Sequence, residues 1–139
     1  MVAPTGSLRN MLDVVGLDAN STSTLQVGAR GGPDDPHPLA AKVGLLVHAG
    51  REATMTIPDD WARKVSMKWG NHPTAWTTSL YIPACPLPYP GAKQWLVYPG
   101  LFSLDAAACL PLEVRAGTTT NTFTISLGVP CPPVANVRS

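Results

Sequence analysis

The chain reads as all-β: an immunoglobulin-like antiparallel β-sandwich with a short N-terminal arm or helix. Three observations predict this. Apolar and polar side chains alternate with period two in short segments, which buries one face of a strand and wets the other. The pattern runs through Phe123-Thr124-Ile125-Ser126-Leu127, Ala53-Thr54-Met55-Thr56-Ile57, Val65-Ser66-Met67-Lys68-Trp69 and Leu112-Glu113-Val114-Arg115. Such segments recur every eight to twelve residues or so with turn signals between, a spacing that suits a sandwich and not alternating β and α units. Proline accounts for 15 of 139 residues, about twice its average usage. Most of these prolines fall between candidate strands, where the missing N–H and the restrained preceding residue bound a strand and leave no room for a long helix.

Taken in order, residues 8–17 carry Leu8, Met11, Leu12, Val14, Val15 and Leu17. They fit either one short amphipathic helix or an extended arm packed on the sandwich. Residues 18–24 form a Ser/Thr/Asn loop, and 25–29 a weak first strand. The run from Gly31 to Pro38 is turn or loop, since each residue there is a poor helix or strand former. Strands are expected over 41–48, 52–57, 64–69, 76–82, 94–98, 101–104, 111–116 and 121–128. Pro58 followed by Asp59 and Asp60 predicts a single helical turn over 58–63, and 117–121 a hairpin turn. With no internal repeat or low-complexity linker, residues 1–139 make one domain: an arm over 1–24, the sandwich over 25–133 and a tail over 134–139.

Hydrophobic residues make up 45% of the chain and charged residues only 14%, well under the usual quarter. Thr, Ser, Asn and Gly must supply the polar surface, a habit of all-β proteins outside the cytosol. The net charge is +1 without a Lys/Arg stripe, and counterion release needs a clustered positive face, so nucleic acid is not an expected partner. No apolar run reaches the roughly 18 residues of a membrane span. Residues 1–7 show no secretory signal pattern.

The three cysteines, Cys85, Cys109 and Cys131, allow at most one intrachain disulfide and leave one thiol over. If Leu112 and Val114 face Phe123, Ile125 or Leu127, paired residue numbers in that hairpin add to an odd value. Residues 109 and 131 do not, so regular pairing keeps them apart unless Pro111 and Pro130 break the register. Cys85 and Cys109 both flank the strand pair 94–104, which favours Cys85–Cys109. The other two pairings, and three buried reduced thiols, stay open. No cysteine pair has metal-ligand spacing, so neither a metal nor another cofactor is expected.

His37, His48 and His72 are scattered, with no H-x-x-x-H or HExxH context. A binding loop of Trp69, Asn71, His72 and Trp76 is conceivable, because aromatic rings with Asn and His suit a sugar or a peptide. The competing expectation is a tryptophan that plugs the end of the sandwich. The adjacent acids Asp34/Asp35 and Asp59/Asp60 suit solvated turns. No G-x-S-x-G, phosphate loop or spaced carboxylate pair appears, so no catalytic residue is expected.

The cysteine-bearing half carries Tyr81-Ile82-Pro83-Ala84-Cys85-Pro86, Trp95-Leu96-Val97-Tyr98-Pro99-Gly100-Leu101-Phe102-Ser103-Leu104, Ala108-Cys109-Leu110-Pro111-Leu112-Glu113-Val114-Arg115 and Leu127-Gly128-Val129-Pro130-Cys131-Pro132. In this order they resemble a C-terminal module of exported or membrane-anchored actinobacterial proteins of uncharacterised function, over about residues 50–133. Gly100-Leu101 stands where that family often has Gly-Gly before the aromatic. The resemblance implies an extracytoplasmic domain with a disulfide and no catalytic residue. The functional expectation is therefore a non-enzymatic binding or structural module, secreted or anchored at the cell envelope, with a protein or envelope partner and homo-oligomer formation open. The alternative is a capsid-decoration or tail protein of an actinobacterial phage, located in the virion, since the chain begins at Met1 without an export signal.

Overall fold

The computed structural model describes residues 8–12, 15–18, 24–69, 76–84, 86 and 95–131. Among them the strands are β1 (Leu8–Met11), β2 (Val15–Asp18), β3 (Gly28–Ala29), β4 (Leu39–Lys42), β5 (Leu45–His48) and β6 (Ala53–Thr56). Then follow β7 (Val65–Trp69), β8 (Ser79–Ile82), β9 (Trp95–Tyr98), β10 (Gly100–Leu104), β11 (Ala108–Ala116) and β12 (Thr119–Leu127). They form three antiparallel sheets, ordered β3-β4-β10-β7, β12-β11-β6-β8 and β1-β2-β5-β9, called below the β10, β11 and β5 sheets. The predicted helical turn is a 3-10 turn at Asp59–Trp61, entered from Pro58.

Alternation decides which face is buried. Leu110, Leu112 and Val114 of β11 are fully buried while Glu113 and Arg115, on either side of Val114, are exposed. Their inward neighbours are Met55 on β6 and Ile125 and Leu127 on β12. They share one core with Ala41, Met67, Phe102 and Leu104 of the β10 sheet and with Met11, Val15, Leu17, Leu45 and Val47 of the β5 sheet. Truncating Phe102 at the centre of that core to alanine costs about 3–5 kcal/mol. Trp69 meets Phe102 edge to face at 5.5 Å and 89°, and its ring lies against Gly100. A Cβ there would stand 2.1 Å from Trp69 Cε3 and 2.4 Å from the Lys68 carbonyl oxygen, so only glycine fits beneath the indole.

In the β5 sheet the extended reading of the N-terminal arm holds and the helical one does not: β1 and β2 pair antiparallel, and β2 continues onto β5. Val14, Val15 and Gly16 are poor helix formers, and Val15 and Leu17 gain burial by facing Val47 and Leu45. The expected strand 41–48 is likewise divided into β4 and β5. Its partner is divided at Pro99 into β9 and β10. The register continues unbroken across the junction: Lys42 faces Leu101, the Val43 N–H donates to the Gly100 carbonyl at 3.2 Å, and Leu45 faces Tyr98. One long two-stranded ribbon thus passes from the β10 sheet into the β5 sheet, bending where Gly44 and Pro99 interrupt the ladder.

Single bridges stitch the β10 and β11 sheets at both edges. Leu25 pairs with Leu127 before its chain crosses to β4 as β3, and Thr77 pairs with Met67 before its chain joins β6 as β8. Sheets connected in this way bury backbone groups that an open edge would expose. The turn between β11 and β12 is tighter than the expected 117–121: Ala116 already pairs with Thr119.

Candidate functional site

The loops at one end of the sandwich gather the residues that most resemble a catalytic set. The β3–β4 loop is closed by the Arg30 N–H donating to the Pro38 carbonyl at 2.9 Å. Within it, Asp35 Oδ2 accepts from the Gly31 N–H at 3.1 Å, so this acid stitches its own turn. The loop folds over the outer face of the β10 sheet, where Ser103 Oγ accepts from the His37 N–H at 3.0 Å and donates to the His37 carbonyl at 3.5 Å. The His37 ring makes a 2.7 Å hydrogen bond from Nδ1 to Asp105 Oδ1, in the turn after β10. It becomes an ion pair when the imidazole is protonated.

Ser, His and Asp side by side invite comparison with a nucleophilic triad, and half of that geometry is present: a carboxylate holds Nδ1 of the histidine. A triad also needs the serine oxygen on the imidazole and open to substrate. Ser103 is instead bound to the backbone of His37 and is 0% exposed. This is a clamp that fastens the β3–β4 loop to β10. Sequence reading did not find it, because His37 and Asp105 are 68 residues apart and no local spacing joins them.

Cys109 bonds to Cys131, with Cα atoms 5.8 Å apart. The favoured pairing Cys85–Cys109 is therefore corrected. The odd-value register holds along the hairpin, where Cys109 faces Ser126. It ceases to apply at Gly128, whose φ of +79° turns the chain out of the ladder, so Cys131 returns beside Cys109 without facing it. Pro111, expected as a register breaker, sits within β11 opposite Thr124. β6 pairs only with residues 113–115, so the missing proline N–H meets no second strand there. Cys85 lies outside the described residues.

Of the candidate binding loop, Asn71 and His72 lie outside the described residues. Trp69 is a core residue, 8% exposed, so it offers no surface platform. Trp76 is half-buried, with Lys68 Nζ 4.8 Å from its ring centroid. Among the described residues, no three His, Cys, Asp or Glu side chains gather as metal ligands would.

The outer face of the β11 sheet is different in kind. Outward positions of β12 are Thr120, Thr122, Thr124 and Ser126, beside Glu113 and Arg115 of β11 and Thr54 and Thr56 of β6. Tyr81 of β8 faces Thr54 and is 59% exposed. Its hydroxyl donates to Glu52 Oε1. That bond holds the proton on the phenol and, with a smaller effect of burial and of the Glu52 charge, raises the Tyr81 pKa above its usual value. No family model, curated protein or solved structure matches the chain.

Proposed function

We propose that this chain is a non-enzymatic binding or structural module of an actinobacterial cell-envelope or secreted protein. The observation that carries the reading is the Cys109–Cys131 bond, because disulfides persist in oxidising compartments and are rare in the reducing cytosol. Its assignment to actinobacteria rests on the motifs between Tyr81 and Pro132. Support for a non-enzymatic role comes from Ser103, in the nearest approach to a catalytic set, whose hydroxyl is buried on the His37 backbone and not on the imidazole.

The test is thiol-trapping of the protein in cell fractions, then tryptic digestion without reductant. Arg115 separates Cys109 from Cys131 in sequence, so the two tryptic peptides travel together only when bonded. The expected result is that linked pair in the envelope or culture fluid, with Cys85 on a separate peptide. A fully reduced protein confined to the cytosol overturns the proposal. So does ester hydrolysis that is lost in Ser103→Ala while the fold is kept.

A further inference from the structure

We propose that the outer face of the β11 sheet binds a linear glycan, with Tyr81 as its stacking platform; this names a ligand for the module proposed above and rests on that reading. The β10 and β11 sheets treat their outer faces differently. On the β10 sheet the chain's own β3–β4 loop lies over Ser103 and seals it. On the β11 sheet Cys131 returns beside Cys109 at one end, while Glu113 and Arg115 toward the other end remain exposed.

The side chains on that surface select the ligand. Tyr81 is exposed while its hydroxyl is tied to Glu52, which removes ring freedom that a ligand would otherwise have to remove. An amphipathic ring of this kind suits the C–H face of a sugar. Along the same row lie Thr54 and Arg115, with Glu113 and Thr122 in the next. Arg115 is about 10 Å from Tyr81 across two strand spacings, the span of a disaccharide. Among the described residues, Arg115 and Glu113 have no ion-pair partner, so both retain hydrogen-bonding capacity for hydroxyl groups. A nucleic acid is disfavoured because Glu52 and Glu113 oppose the one arginine. A protein partner is disfavoured because, among the described residues, no apolar cluster surrounds the ring.

The experiment is affinity gel electrophoresis of the whole chain with dextran, laminarin or mannan cast in the gel. The wild type is expected to be retarded by at least one of them, Tyr81→Ala to lose affinity by about tenfold or more, and Arg115→Ala to lose less. Lys42→Ala, on the opposite sheet, migrates as wild type. The proposal is overturned if none of the three glycans retards the wild type, or if Tyr81→Ala is retarded equally. Should Tyr81→Ala lose its fold by circular dichroism, Arg115→Ala decides in the same way. Failure here leaves the disulfide and the cellular location, read separately by fractionation, untouched.

Discussion

The outer faces of the β10 and β11 sheets begin from the same alternation and end in opposite states. On β10 the outward residue Ser103 is 0% exposed, held under His37. On β11 the outward residues Glu113 and Arg115 remain exposed. Period two specifies only that every second side chain leaves the core. Whether such a side chain then meets water or another piece of chain depends on a loop that the strand itself does not encode. On β10 the cover fastens a loop; on β11 Glu113 and Arg115 meet no such loop among the described residues.

Breaking the interior tests the shared part of this comparison and has the largest effect. Gly100→Ala places a Cβ against Trp69 and the Lys68 carbonyl; the expected destabilisation is roughly 3 kcal/mol or more, read from denaturant unfolding. Replacing Cys109 and Cys131 together by serine removes a cross-link spanning 22 residues. The chain-entropy estimate is about 3 kcal/mol, so the midpoint of thermal unfolding falls by about 10 °C. A wild type whose midpoint is insensitive to reductant would contradict it.

Two substitutions sharpen the contrast between the faces. Ser103→Ala strips the His37 N–H of its acceptor beneath the loop and is expected to cost about 1–3 kcal/mol. Thr122→Ala, an outward position on the β11 sheet, stays within about 0.5 kcal/mol. Equal losses at the two positions would erase the distinction. The smallest effect is alkaline. Tyr81 has a raised pKa in the folded chain, so its bond to Glu52 contributes stability below the unfolded value near 10 and loses it as pH rises through the folded value. Tyr81→Phe should therefore remove an alkaline step from an ultraviolet titration of the tyrosines and flatten the high-pH end of the stability profile.

Much of the sandwich was legible in single strands. Val65–Trp69 and Ala53–Thr56 lie where alternation places them, and Asp59–Trp61 where Pro58 and two acids predict a turn. The third sheet was legible only as a possible extended arm, because β2, which carries β1, is held by partners on β5 that lie about 30 residues away. Of the candidate sites, Trp69 was legible as apolar but not as the ring that covers Gly100. Tyr81 showed nothing local that distinguishes it from any outward aromatic; its meaning comes from Glu52 beside it and the row of neighbours across β6 and β11.

By itself the sequence determined that this chain is built from strands, which side chains each strand turns inward, and that one cysteine must be left over. Those are consequences of period-two geometry, of proline's missing donor and of an odd count, all of which operate within a few residues. The tertiary structure alone decided that Cys131 is the partner of Cys109, that Ser103 is a fastener, and that Ser103 is covered while Glu113 and Arg115 stay exposed. Each of these requires groups distant along the chain to be brought within a few ångströms, and only the packing of whole sheets around one core does that.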